Sequence, residues 1–149
     1  MTVRARVDMI VERVVETAMP TAFGAFTAVG YRSRLDDGEH LALVHGEIGE
    51  GEDVPVHVHQ ECPAGDALEG LLCTCGTRLR SALATVAAEG RGVVVYLRGT
   101  GMCARFRQPP LLHEGSATNH DAGAAILRDL GVRSMRSSVD SRGAGVAAG

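Results

Sequence analysis

The stretch TRLRSALATVAAEGRGVVVYL, residues 77–97, decides the fold class. Its first half carries a stripe of apolar residues at helical spacing, at Leu79, Leu83, Val86 and Ala87. Gly90 follows that stripe and suits a helix C-cap. Its second half, Val93 to Leu97, is a continuous apolar run of mostly β-branched residues, which is typical of a buried strand. The stretch therefore predicts a helix over Thr77 to Gly90 and a strand directly after it.

A second segment, residues 119–136, has the same order of elements. Asn119 or Asp121 is expected to cap a helix that carries Ala125, Ile126 and Leu130 on one face. Gly131 is expected to end this helix, and Val132 to Arg136 predicts a strand. Two helix-then-strand units in one chain favour an α/β domain.

The N-terminal half predicts strands. Residues 9–18 leave open a short helix or an extended strand that stops at Met19-Pro20, because their periodicity does not decide between the two. Phe23 to Tyr31 and Glu39 to His45 predict a hairpin across the turn signal Asp36-Asp37-Gly38. Val54 to Cys62 alternates and predicts a further strand. The expected fold is α/β, with a mixed β-sheet and flanking helices.

The domain plan expected from this pattern is simple. Residues 1–136 are expected to form one domain, because 149 residues are the length of an ordinary single core. Residues 99–116 contain Pro109-Pro110 and no period, which predicts a loop over one end of the sheet. Residues 137–149 are rich in Ser, Gly and Ala, which predicts a flexible tail.

Composition excludes several kinds of partner. A net charge of −3 gives no broad attraction to nucleic acid or to an anionic membrane. With three Phe, two Tyr and no Trp, a base-stacking surface is not expected. No apolar run approaches the roughly 20 residues that span a bilayer, and the charged N-terminus is unlike a signal peptide. We therefore expect no nucleic-acid or membrane partner and a cytoplasmic location, where cysteines serve as metal ligands or free thiols rather than disulfides.

Three of the four cysteines follow the spacing Cys62-x10-Cys73-x-Cys75. If Cys73 and Cys75 lie in a strand, both side chains point to the same side and can chelate one ion. Cys62 follows the preceding strand, and residues 63–66 turn the chain back towards the pair. Thiolates select zinc over hard cations. The spacing alone leaves a zinc site and buried cysteines without metal equally open.

The sequence around these cysteines reads His59-Gln60-Glu61-Cys62-Pro63-Ala64-Gly65-Asp66, then Cys73-Thr74-Cys75-Gly76, and continues into residues 88–98. These segments resemble the GTP cyclohydrolase II family, whose zinc enzyme opens the guanine ring at the start of riboflavin synthesis. The likeness covers most of residues 13–136. The corresponding family patterns are R-x-H-S-E-C-x-T-G-D, R-C-D-C-G and E-G-R-G-V-x-Y-L-R. The resemblance implies one Zn²⁺ per chain on Cys62, Cys73 and Cys75, an α/β fold and a homodimer.

The chain departs from the family pattern where substrate is expected to bind. His57 stands where the family has an Arg, and Arg78 where it has a Gln. The family's glycine-rich Q-E-G-R-G has become residues 99–103, and the chain is shorter between this loop and the last helix. Ser116 and Thr118 stand where the family has the Asp and Arg of D-x-R, proposed as base and nucleophile. Residues 139–144 replace the closing T-N-N-P-x-K.

These departures predict a truncated, divergent zinc hydrolase of specialised metabolism, acting on a small nitrogen heterocycle rather than opening GTP. The alternative is a non-catalytic relative, in which zinc stabilises a domain that binds a ligand or partner. Four thiolates would favour the alternative because they close the zinc site. An exchangeable zinc water would favour the hydrolase.

Several side chains are candidates for the remaining roles. Glu61 is the candidate acid/base. His59 and Glu61 either orient a zinc water or hold a polar ring, or they belong with His57 to a polar strand face that is solvated or internally bonded. The candidates for substrate binding are His57, His59, Arg78 and Arg98. Arg98, with Arg105 and Arg107, either binds an anionic group or lines a solvated loop. Cys103 is either a spare thiol or a fourth zinc ligand, and His113 and His120 are expected at the surface.

Overall fold

The computed structural model describes residues 10–99, Phe106 and residues 117–137. Its strands are β1 (Val11–Thr21), β2 (Gly24–Ser33), β3 (Glu39–His45), β4 (Val54–Gln60), β5 (Gly92–Leu97) and β6 (Met135–Ser137). Its helices are α1 (Pro63–Asp66), α2 (Cys75–Glu89) and α3 (Ala117–Asp129). The expected α/β class is confirmed.

The six strands form one mixed sheet in the order β1-β2-β3-β5-β4-β6. Antiparallel pairing joins β1, β2, β3 and β5. Parallel pairing joins β5 to β4 and β4 to β6, so the chain crosses over between β4 and β5 through α1 and α2. The carboxyl ends of β4 and β5 therefore meet at one end of the sheet, where the cysteine segment begins.

The two long helices cover opposite faces of the sheet, which follows from the alternation of side chains along β5. Val93 and Val95 pack with the α3 residues Ala125 and Ile126 in the larger core. Val94 instead packs with the α2 residues Ala82 and Val86 in the smaller core. All seven of these side chains are fully buried, so both faces of β5 are closed to water, as a continuous apolar strand indicates.

The hairpin and most boundaries agree with the expectations. The β3 bounds match the prediction, and Gly38 donates its N–H to Asp36 Oδ1 at 2.9 Å in the turn before it. Helix α2 ends at Glu89, and its C-cap is Gly90, whose φ of 89° lies in the left-handed region that glycine tolerates. The region 9–18, left open by sequence, forms strand β1 from Val11 to Thr21.

Three expectations about boundaries were wrong. Strand β1 does not stop at Met19-Pro20, because an edge strand tolerates a residue without an N–H donor. Neither Asn119 nor Asp121 caps α3, which begins at Ala117 and carries both residues inside the helix. The last strand is only Met135–Ser137, so Val132 to Ser134 is a connection. Of the predicted tail 137–149, only Ser137 is described, and it ends β6.

Among residues 10–99 and 117–137, no helix combines the length and the hydropathy that crossing a bilayer needs. The long loop predicted over 99–116 lies outside the described residues apart from Gly99 and Phe106.

Candidate metal centre

Three cysteine thiols converge beside the end of β4. Cys62 follows β4, Cys73 lies in the loop before α2, and Cys75 is the first residue of α2. Their sulfur atoms all lie within 4.8 Å of one another. The expectation that Cys73 and Cys75 share a strand was wrong, because the chain turns between them from a loop into a helix. The two thiols nevertheless reach the same point, since the turn aims both side chains at Cys62.

The sulfur geometry fits a tetrahedral zinc ion. Zinc–thiolate bonds of about 2.3 Å at tetrahedral angles place neighbouring sulfurs about 3.8 Å apart. The Sγ atoms of Cys62 and Cys73 are 3.7 Å apart. Cys62 and Cys75 are buried at 2% and 6% exposure, while Cys73 is partly exposed. The donor set and its spacing therefore suit a soft divalent cation held at the edge of the protein.

The local environment shifts the pKa values of the Cys73 and Cys75 thiols in opposite directions. Burial raises the pKa of the Cys75 thiol well above its usual range, and hydrogen bonding to Cys73 adds to the effect. Burial also acts to raise the pKa of Cys73, but hydrogen bonds from the Cys75 backbone and the neighbouring thiols outweigh it and lower that pKa. Without a cation, Cys73 is the thiol that these contacts favour as a thiolate.

Two glycines bring the cysteine-bearing segments into contact. A Cβ built on Gly76, in the first turn of α2, would collide with the carbonyl oxygen of Gly65 in α1. A Cβ on Gly65 would lie 2.9 Å from the Gly76 nitrogen and 3.1 Å from the Cys73 sulfur. Side chains at either position would push the two backbones apart, so the glycines permit the approach that assembles the three thiols.

Asp66 lies at the centre of the hydrogen bonds behind the cysteines. Its Oδ2 accepts the backbone N–H of Cys62 at 2.9 Å and the hydroxyl of Tyr96 at 2.7 Å. Its Oδ1 lies 2.9 Å from His59 Nε2. Burial, the hydrogen bond to Asp66 and the charge of Asp66 raise the pKa of Tyr96 far above its usual range. Sequence reasoning gave no role to Asp66 or Tyr96, although the H-x-E-C-x-x-G-D motif placed Asp66 four residues after a ligand.

His57 and His59 form a buried pair that continues this network. Their side chains are on the face covered by α2, because His57 pairs with Val94 and His59 with Tyr96 in the parallel register. Both residues are buried, at 9% and 5% exposure, so this face is not solvated, and its hydrogen bonds agree with the alternative of an internally bonded polar strand face. His57 Nε2 lies 3.4 Å from His59 Nδ1, and the His59 ring stacks on Tyr96. Burial, followed by the charges of His59 and Arg78, lowers the pKa of His57 to about 4.

Glu61 directly follows β4 and contacts the residues that follow β5. Its Oε1 accepts the backbone N–H of Gly99 at 3.0 Å, and its Oε2 lies 3.3 Å from Arg98 Nε. The Glu61 side chain is 18% exposed, whereas that of Arg98 is 61% exposed. The carboxylate is thus fixed beside the cysteine segment while the guanidinium reaches into solvent.

Sequence reasoning assigned no site role to the buried groups that hold the end of β5. The backbone N–H of Arg98 donates to His40 Nδ1 at 3.0 Å. Asn119, buried inside α3, donates to the Arg98 carbonyl at 3.0 Å and to Gln60 Oε1 at 3.1 Å. Within the described part of the chain, His40 Nε2 is the buried side-chain atom left without a hydrogen-bond partner. Burial lowers the pKa of His40, with Asp36 opposing and Arg98 adding to this shift.

The remaining candidates lie on the first turn of α2 or on α3, or fall outside the described residues. Arg78 is exposed on the first turn of α2, and His120 is exposed on α3, as expected for a surface histidine. Thr118 lies within α3. The predictions for Cys103, Arg105, Arg107, His113, Ser116 and residues 139–144 lie outside the described residues.

The fold and the site define an α/β protein with a three-thiol cluster of metal-binding geometry. The sequence profile of the family described as GTP cyclohydrolase II matches residues 12–137. The chain therefore belongs to the GTP cyclohydrolase II family, which confirms the resemblance stated from its motifs.

The relatives agree with this assignment. The riboflavin biosynthesis protein RibBA of Nocardia farcinica is 46% identical over 152 residues, covering 89% of this chain and 37% of that protein. The monofunctional riboflavin biosynthesis protein RIBA 3 of Arabidopsis thaliana is 41% identical, covering 89% of this chain and 30% of that protein. The chain thus spans about a third of the length of the curated relatives it matches.

A solved structure has a similar fold. The crystal structure of RibBX, a two-domain 3,4-dihydroxy-2-butanone 4-phosphate synthase from A. baumannii, aligns with a TM-score of 0.56 and 28% identity. The alignment covers 91% of this chain and 37% of that one. The likeness supports the mixed-sheet α/β architecture across nearly the whole chain.

Proposed function

We propose that this protein is a divergent zinc-dependent hydrolase of its family, acting on a small, purine-like nitrogen heterocycle rather than opening GTP. The observation that carries the proposal is the convergence of three thiols within 4.8 Å of one another, with Cys62 and Cys73 at 3.7 Å, close to the sulfur spacing of a tetrahedral zinc site. Cys62, Cys73 and Cys75 would hold one Zn²⁺ per chain. When bound with an open position, zinc supplies an activated water near neutral pH.

Glu61 is the proposed proton-transfer group. Gly99 and Arg98 fix its carboxylate at the end of β4, one residue before a proposed metal ligand. A carboxylate that is 18% exposed remains accessible to a bound ligand while its position is set by hydrogen bonds. Glu61 would accept a proton at a carboxylate oxygen during attack and return it to the leaving nitrogen.

The proposed contacts to substrate come from exposed arginines. Arg98 is 61% exposed beside Glu61, and Arg78 is exposed on the first turn of α2. A guanidinium with free N–H groups suits a carboxylate or phosphate on the substrate. His59 Nε2 already pairs with Asp66 Oδ1, so His59 would orient groups around the metal and would not contact the anionic part of the substrate.

The buried state of His57 supports divergence from GTP ring opening. This residue stands where the family pattern has an Arg, and its pKa of about 4 makes it neutral at physiological pH. Its Nε2 already faces His59, so it supplies neither the charge nor the reach of an arginine. Thr118 on α3 likewise replaces the Arg of the family's D-x-R.

The second candidate is a non-catalytic domain that zinc stabilises. It is favoured by the same buried network, because His57, His59, Asp66 and Tyr96 bond to one another rather than to a cleft. In this candidate Cys103 would supply a fourth thiolate and close the site.

Zinc K-edge X-ray absorption of the purified protein separates the two candidates. Three sulfurs and one light atom are expected for the hydrolase, with the same count in Cys103→Ser. Saturable binding of a purine-like ligand that weakens in Arg98→Ala would then support catalysis on that class. Four sulfurs that fall to three in Cys103→Ser would contradict the hydrolase and establish a closed site.

We also propose that the protein works as a homodimer in the cytoplasm. Edge strand β1 supports the dimer, because it exposes Val14 at 50%, Val15 at 55% and Met19 at 39%. Sedimentation velocity is expected to give twice the mass of one chain, and a monomer at micromolar concentration would contradict this part of the proposal.

A further inference from the structure

Asp66 joins three parts of the chain through one buried carboxylate. It contacts His59 on β4, the backbone of Cys62 after β4, and Tyr96 on β5. The side chains of Asp66 and His59 are 7% and 5% exposed. The backbone N–H of Asp66 also donates to the Cys62 carbonyl at 2.7 Å, so both backbone polar groups of Cys62 are tied to Asp66.

The chemistry of these partners sets the proton on His59. A carboxylate that accepts from a backbone N–H and a tyrosine hydroxyl offers acceptors only, so His59 Nε2 must carry the proton it shares with Oδ1. In the neutral imidazole, His59 Nδ1 is then an acceptor. His57 Nε2, 3.4 Å away, is the group placed to donate to it.

We infer that Asp66 is the positioning residue of the metal centre, holding the Cys62 segment in place and keeping the proton of His59 on Nε2. The inference rests on the proposed function for its metal part, since zinc is the proposed occupant of the thiols. Asp66 acts through the Cys62 backbone and the His59 ring, in the way that outer partners orient the ligands of metal sites.

Asp66→Asn is the sharpest variant because it keeps the size and removes one acceptor. The amide oxygen can still accept from Cys62 and Tyr96, which share Oδ2. The new NH₂ group then faces His59 Nε2, and two donors cannot share a hydrogen bond. His59 is expected to move its proton to Nδ1, and zinc affinity is expected to fall about 10- to 100-fold.

Glu69→Gln is the matched control. Glu69 is exposed on the loop between α1 and α2, so this variant makes the same change of charge within the segment that joins Cys62 to Cys73 without changing the hydrogen bonds of Asp66. Long-range ¹H–¹⁵N spectra of histidine-labelled protein report which ring nitrogen carries the proton, and His59→Gln assigns the signal. Competition with a chromophoric chelator measures the zinc affinity of each variant.

The expected result is a proton on His59 Nε2 in the wild type, its loss from Nε2 in Asp66→Asn, and weaker zinc binding in that variant than in Glu69→Gln. A wild-type His59 without a proton on Nε2 would overturn the inference, as would an Asp66→Asn protein whose zinc affinity equals that of the control. If Asp66→Asn does not fold, Tyr96→Phe replaces it. Weaker zinc binding than in Glu69→Gln supports the inference, and equal binding overturns it.

The failure of the proposed function would look different. A wild-type protein that binds no zinc would remove the metal part while the spectrum of the metal-free protein still decides the role of Asp66 at His59. A closed four-sulfur zinc site would contradict the hydrolase proposal. The zinc affinities and the histidine spectra would still test the role of Asp66 in the same way.

Discussion

The metal side of the site, Cys62, Cys73 and Cys75 with Asp66, is built from buried groups apart from the partly exposed Cys73. The substrate side, Glu61 with Arg78 and Arg98, ends in side chains that reach into solvent. The three sulfurs lie within 4.8 Å of one another, whereas Arg98 is 61% exposed and meets a single carboxylate. Burial makes each metal-side group depend on its neighbours, so substitutions there change structure and metal binding together. Exposure means that a substitution of Arg78 or Arg98 is expected to change little else in the structure.

The largest effect is expected from Cys75→Ser, which removes a ligand from the metal side. A serine hydroxyl does not ionise at neutral pH, so zinc affinity is expected to fall by more than about 100-fold. Competition with a chromophoric chelator and metal content after dialysis measure this loss. Thr74→Ala is the control, because Thr74 lies between the two ligands, is exposed and makes no capping hydrogen bond. Equal zinc affinity in the two variants would contradict the site.

Gly76→Ala tests whether close backbone packing assembles the metal side. The added Cβ would collide with the Gly65 carbonyl, and separating the backbones is expected to cost about 1–3 kcal/mol of unfolding free energy. Zinc binding should weaken as well. In the control Gly123→Ala, the new Cβ would lie 3.5 Å from Leu97 Cδ1, an ordinary contact inside a helix. The unfolding free energy of Gly123→Ala is expected to rise by about 0.5–1 kcal/mol. Urea titrations of both proteins make the comparison, and equal stability would refute the packing argument.

The buried His57 gives the metal side a pH dependence. Its pKa falls from 6.5 to about 4 on folding, mainly through burial, so the unfolded chain binds the extra proton first as the pH drops. The free energy of unfolding is therefore expected to decrease between about pH 6.5 and 4, by up to about 3 kcal/mol from this residue. His40, whose pKa is also lowered, adds to the decrease in the same direction.

His57→Gln isolates the contribution of that residue. Its unfolding free energy should depend less steeply on pH over this range than that of the wild type. His120→Gln, at an exposed position on α3, should follow the wild-type curve. Denaturant titrations at several pH values supply the data, and parallel curves for His57→Gln and wild type would show that His57 is not buried neutral.

Local patterns were sufficient to predict most of the fold. Periodicity and turn chemistry within about twenty residues were enough for three elements: strand β3, helix α2 with its Gly90 cap, and strand β5. Region 9–18 could not be decided, because β1 is an edge strand exposed on most of its length and has no clear alternation. The prediction that Asn119 caps α3 failed for a related reason, because the hydrogen-bond partners of its side chain, Gln60 and Arg98, are distant in sequence.

The sequence indicated the three thiols that come together, but it did not indicate the hydrogen bonds that surround them. The cysteine spacing and the family motifs indicated three thiols, and the structure brings them together. No spacing rule shows that Asp66 contacts Tyr96, thirty residues away, or that α2 covers His57. The start of α2 at Cys75, rather than at Thr77, was also missed, because Cys75 and Gly76 carry no helix-start signal of the usual kind.

The smallest structural effect is expected on the substrate side, from Arg78→Ala. Arg78 is exposed and belongs to neither core cluster, so its loss should change the unfolding free energy by less than about 0.5 kcal/mol and leave zinc affinity unaltered. Binding of an anionic purine-like ligand should weaken about fivefold, since an exposed ionic contact contributes up to about 1 kcal/mol. Arg128→Ala is the control, because Arg128 is exposed on α3, across the sheet from α2. Calorimetric titrations of the zinc-loaded proteins measure the difference. If Arg78→Ala instead loses zinc affinity or stability, the two sides of the site form one structural unit and the contrast between them is wrong.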